Sequence, residues 1–274
     1  MLNTLLEPLQ YGFMQRSLVE AIIVGIICAV VGSYLLVQRL ALLGDAISHS
    51  VLPGLAIAFI LNINLFIGAF VAGLMSTVFI NLIRARSKIK EDAAMGIVFS
   101  AFFALGITLI TVIQKDNKID LNHFLFGNIL GVTVNDIRDT LIIASIVIIT
   151  VIVLYKELLF YTFDKLGAQA TGLPVQWLDL GLMILMGLTI VASLKAVGVI
   201  LVLSLLITPA ATAYLLTKRL HQMMFVGVGI GVISSITGMY LSYFYNLPSG
   251  PAIVLVASGI FALVFSFRLW QKTV

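Results

Sequence analysis

The chain has 274 residues, 61% of them hydrophobic and 10% charged, with a mean hydropathy of +1.15. Soluble domains carry about 25% charged residues, so this composition excludes a soluble globular protein and predicts an all-α, polytopic membrane bundle. The net charge of +4 points to basic cytoplasmic loops rather than to nucleic acid, and the lone cysteine, Cys28, excludes an intramolecular disulfide or a cysteine metal cluster.

A bilayer core of about 30 Å needs about 20 apolar residues per helix. In chain order, such runs fall at about 18–38, 45–61, 65–83, 93–114, 137–155, 177–194, 197–217, 223–245 and 250–268, which predicts eight to nine transmembrane helices. The N-terminal "MLNTLLEPLQYGFMQRSL" lacks a basic start, an apolar stretch and a small-residue cleavage site in that order, so no removable signal peptide is expected. The second run opens with Asp45 and His49 and carries "LPG", where Pro53 lacks an amide donor and Gly54 is flexible, so a kink is expected there. Between the fourth and fifth runs, the apolar stretch 123–132 is too short to cross and reads as an external or re-entrant element. It begins at His123, with Asp116 and Asp120 upstream; the histidine is a candidate metal-entry residue or simply part of a solvated loop.

The connection "FDKLGAQATGLPVQWLD" (163–179) has a short helix-compatible core with Ala168, Ala170 and Gly172 and closes at Pro174. It reads either as a docking contact or as a plain linker. In the seventh run, Pro209 sits among the small residues of "LLITPAATA", which favour close helix approach. If the runs alternate, Arg39, Arg84, Arg86, Lys88, Lys90, Lys156, Lys165, Lys218, Arg219, Arg268 and Lys272 all fall on one side. The positive-inside rule makes that side cytoplasmic, with the C-terminus inside and, for nine spans, the N-terminus outside. No repeat, low-complexity tract or soluble domain interrupts the pattern, so residues 1–274 read as one transmembrane domain.

Asp45 and His49 stand at i and i+4, one turn apart on one helical face. A carboxylate with an imidazole suits divalent first-row ions such as manganese, iron or zinc. The competing reading is an acid capping the helix start beside a hydrogen-bonded histidine. Two ligands are too few for a selective site, and a two-fold dimer supplies four. The chain contains no G-x-x-x-x-G-K-[ST], H-E-x-x-H or G-x-S-x-G, so neither ATP binding through a P-loop nor an enzymatic role is expected of it.

"QRLALLGDAISHSVLPG" (38–54), "EDAAMGIVFS" (91–100), "LGAQATGLPV" (166–175) and "LLITPAATAYLL" (205–216) together resemble, collinearly over nearly the whole chain, the membrane permease subunit of the ABC-3 family of metal-ion ABC importers. The resemblance implies a type II importer-like permease of the bacterial cytoplasmic membrane. It implies a homodimer that docks two separate cytoplasmic ATPase subunits and receives its metal from an extracytoplasmic solute-binding protein. In that reading ATP is used by the partner, and no cofactor is permanently bound. Asp45 and His49 fall where the family's metal path lies. The family's coupling helix falls within 164–173, giving that role to Asp164, Lys165, Leu166, Gly167, Ala168, Ala170 and Gly172. By the wording of its motifs, manganese is the favoured cargo, zinc next and iron third. The rival reading is an ion-coupled secondary carrier without an ATPase; a third is a structural membrane protein in which Asp45 and His49 are merely satisfied polar groups.

Overall fold

In hydrocarbon, every backbone N–H and C=O must be bonded within the chain, so long apolar runs close into helices. The computed structural model describes residues 7–113 and 129–273, and among them every regular element is helical. The α-helices are α1 (Gly12–Val37), α2 (Ala41–Ser50), α3 (Leu52–Ile60), α4 (Leu65–Arg86), α5 (Glu91–Ile113), α6 (Val134–Val153), α7 (Tyr155–Phe163), α8 (Lys165–Ala170), α9 (Val175–Val197), α10 (Val199–Leu216), α11 (Leu220–Tyr245) and α12 (Ser249–Thr273). Short 3-10 turns lie at Pro8–Gln10 and Ile129–Gly131. Among the described residues, 8 helices are long and apolar enough to cross a membrane, or 9 if α6 and α7, bent by 71°, form one span.

Several ends differ from the sequence expectation. The 26 residues of α1 reach about 39 Å at 1.5 Å per residue, because the polar residues before position 18 still join the helix. Lys156, expected in a loop, belongs to α7: the bonds from Leu154 N to Thr150 O and from Leu158 N to Leu154 O carry the helical ladder across the bend. Of the expected element at 123–132, the described part is the turn Ile129–Gly131, where Ile129 is buried and its carbonyl accepts from Ser17 Oγ at 2.8 Å.

α1 is the central helix, packed against α6, α9, α10 and α11. Its most apolar stretch is 67% buried, against 17% for α5 and for α12, which lie at the periphery. Small residues set the closest crossings. A Cβ added to Gly54 would lie 2.0 Å from Gly68 O, so Gly54 lets α3 close onto α4. The helical run is interrupted at Val51, between α2 and α3, with Pro53 in the first turn of α3. Pro209 lies buried inside α10, which continues unbroken from Val199 to Leu216.

Candidate metal path and docking segment

α2 starts at Ala41 with Leu40 as its N-cap and no side-chain cap bond, so Asp45 lies a full turn inside the helix. Its carboxylate is therefore not a cap, which removes the simplest alternative for its presence. One turn on, His49 Nε2 stands 3.4 Å from Asp45 Oδ1. The Asp45 side chain is 51% exposed and that of His49 27%. From α5, the rings of Phe99 and Phe103 meet the imidazole edge-on at 5.5 Å each and fix its plane. His49 Nδ1 is buried with no hydrogen-bond partner among the described residues, an arrangement that costs about 1–3 kcal/mol if nothing further engages it.

Around this pair, side chains share the carbonyls of the helix. Ser48 Oγ donates to Gly44 O at 2.8 Å and Ser50 Oγ to Ala46 O at 2.7 Å, bonds that compete with the helical ladder. Pro53, four residues after His49, has no N–H to offer the His49 carbonyl; the Val51 N–H turns back to it instead. The pair thus offers a carboxylate, an imidazole and a carbonyl released from α-helical bonding. Beside Asp45 lies a small cavity of about 120 Å³ lined by Leu42, Asp45, Ala46, Asp92, Met95, Gly96 and Phe99. Asp92 had stood out only as part of a motif; its approach to Asp45 depends on how α5 packs against α2 and has no signal in residue spacing. Among the described residues no three His, Cys, Asp or Glu side chains converge on one point. His123, with Asp116 and Asp120, lies outside the described residues.

The segment 164–173 folds as a short helix closed at both ends. Asp164 Oδ1 accepts from Gly167 N at 2.8 Å, capping α8 at its start. At its end, Gly172 has φ +84° and donates to Gln169 O at 3.1 Å, while Leu173 N donates to Ala168 O at 3.1 Å, a Schellman closure that favours glycine at the left-handed position. Ala168 is fully buried and pins the helix to the bundle, whereas Leu166 is 80% exposed. Lys165, Gln169 and Ala170 are exposed as well. The segment is thus a capped turn that displays an exposed leucine.

A family model described as the ABC 3 transport family matches residues 10–268. The manganese transport system membrane protein MntC of Halalkalibacterium halodurans is 49% identical over 261 residues, 95% of this chain and 89% of that protein. The chelated iron transport system membrane protein YfeD of Yersinia pestis is 42% identical over 262 residues, 96% and 88% of the respective chains. Among solved structures, PsaBC from Streptococcus pneumoniae in complex with Fab superposes with a TM-score of 0.84 at 41% identity, covering 97% of this chain and 95% of that one. With its membrane-spanning helices and this similarity along nearly its whole length, the chain belongs to the ABC 3 transport family, as a multi-pass membrane protein of metal-ion ABC transport.

Proposed function

We propose that the chain is the permease subunit of an ATP-driven importer of divalent first-row metal ions, with manganese as the cargo. The observation that carries this reading is the Asp45–His49 pair, one turn apart and 3.4 Å from each other inside an apolar span, in a chain of this family. Ionisable residues in a membrane span are costly and mark ion paths. A metal ion that crosses must exchange hydration for fixed donors and still leave, so the donors must bind it only moderately. Two copies related by a two-fold axis would complete the set. The whole chain, 1–274, acts as one permease domain in a bacterial cytoplasmic membrane. A separate ATPase docks on 164–173, an extracytoplasmic binding protein delivers the metal, and hydrolysis belongs to the ATPase. The Asp–His donor pair suits manganese, iron and zinc alike; manganese is favoured because of the wording of the motifs and because MntC is named for it. YfeD is named for chelated iron, so iron, with zinc, is a competitor for the test to separate.

The test is uptake of manganese, iron and zinc in cells that lack their own importers and carry this chain with its ATPase and binding protein. Asp45→Ala and His49→Ala should each lower manganese uptake by at least about ten-fold, with the protein still folded. Uptake should stop when the ATPase is disabled and survive collapse of the membrane potential. Uptake that tracks the potential without the ATPase would replace this reading with a secondary carrier, and uptake that survives both substitutions would remove the pair from the path.

A further inference from the structure

At the end of the bundle that carries α8, one half-buried carboxylate gathers three elements. Asp179, in the first turns of α9, accepts the Tyr161 hydroxyl from α7 on Oδ1 and Asn81 Nδ2 from α4 on Oδ2 at 3.0 Å. Arg84 Nη1, also from α4, stands 3.6 Å from Asp179 Oδ1, and its side chain is only 7% exposed. The other arm of the same guanidinium, Nη2, donates to Glu91 Oε1 at 2.6 Å. Glu91 is the first residue of α5. On the opposite side, Lys165, the first residue of α8, lays its ammonium over the Tyr161 ring at 5.1 Å from the centroid. A contiguous set of polar contacts therefore runs from the proposed docking helix through Tyr161, Asp179 and Arg84 to the start of α5. Two and three turns further along α5, Phe99 and Phe103 hold the His49 ring.

We infer that Asp179, with Tyr161 and Arg84, is the positioning centre that ties movement of the docking segment to α5 and so to the Asp45–His49 pair. This inference rests on the proposed function. Surface ion pairs contribute little, but the Arg84 guanidinium is largely buried and is held between Asp179 on one side and the more exposed Glu91 on the other, so losing Asp179 removes its better-buried partner. The two ends of the network sit on different helices, so a shift of α8 bears on the start of α5 through these contacts. No other described polar contacts link α7, α9, α4 and α5 at one point. None of the three residues touches the metal pair, and only Tyr161 meets α8, through Lys165; they act through what they hold.

The experiment uses the whole transporter, this chain with its ATPase and binding protein, in lipid nanodiscs for manganese-stimulated ATP hydrolysis and manganese binding, and in proteoliposomes for uptake. Asp179→Ala and the milder Tyr161→Phe should assemble, bind manganese and hydrolyse ATP within about two-fold of wild type. Their manganese imported per ATP should fall about ten-fold for Asp179→Ala and several-fold for Tyr161→Phe. Asp179→Asn, which still accepts from Tyr161 and Asn81, should recover part of the loss. Unchanged uptake per ATP in either variant would overturn the inference. So would a parallel fall of hydrolysis, binding and uptake in Tyr161→Phe, which marks a purely structural role. Failure of the underlying reading looks different: Asp45→Ala would then import manganese normally, or wild-type uptake would need no ATPase.

Discussion

At Gly32 a single added methyl group would collide with the backbone of another helix: an ideal Cβ lies 1.9 Å from Leu206 O. Backbone cannot swing aside as a side chain can, so Gly32→Ala should destabilise the protein by about 1–3 kcal/mol. The same change at Gly259, where nothing lies within 4 Å of the added Cβ, should be neutral or stabilising by about 0.5–1 kcal/mol through helix propensity. Thermal unfolding of the two variants in detergent checks the contrast, and equal midpoints would show that α1 and α10 do not cross as closely as described. The same scale explains what was readable at the metal pair. Asp45 and His49 stood out because charge within an apolar run is costly and rarely idle. That His49 lies between Phe99 and Phe103 was not readable, since those rings come from a helix about fifty residues away and only packing brings them there. Nor did spacing separate a ligand from a cap; the start of α2 at Ala41, a turn before Asp45, excludes the cap.

The positions of elements built from apolar runs were legible because membrane thickness sets their length, although α1 starts earlier, at Gly12, and α12 ends later, at Thr273, than the apolar runs do; the short core of the 163–179 connection was legible from its composition. The 71° bend between α6 and α7 was not, since hydrophobic content is the same for a straight and a bent pair. The Asp179 network was hidden for a similar reason: its members, from Asn81 to Asp179, are ordinary end-of-helix polar residues until the bundle brings them together. For α8, the caps predict how firmly it is held. Asp164→Ala removes the bond to Gly167 N and should cost about 1 kcal/mol, while Gly172→Ala forces a Cβ into a φ of +84° and should cost about 1–2 kcal/mol. Either loss should speed hydrogen exchange of the Lys165–Ala170 amides about five-fold or more, read by mass spectrometry on the intact protein. Unchanged exchange would mean that burial of Ala168, not capping, holds the helix.

For the whole molecule the decisive question is whether the Asp45–His49 face works alone. Asp45 is 51% exposed, the adjoining Leu42 is 54% exposed, and α5 beside them is among the least covered helices of the bundle. A carboxylate left against lipid is costly, up to about 2.5–3.5 kcal/mol at the centre of a span, and among the described residues no three His, Cys, Asp or Glu side chains of one chain converge to hold an ion, although Asp92 lines the cavity beside Asp45. Both facts are relieved together if a second copy covers this face and adds its own Asp45 and His49 across a two-fold axis. The two arrangements differ in how activity falls when copies are mixed. With equal amounts of wild-type and Asp45→Ala chains assembling at random, a site shared across the axis leaves only the pairs of wild-type copies active, about one quarter of full uptake. Independent sites, one per chain, would leave about one half, in proportion to the wild-type fraction. Uptake measured across a series of mixing ratios should therefore follow the square of that fraction. A straight line would show that each chain carries its own complete path, and the remaining donors would then have to be water and the released carbonyl of His49.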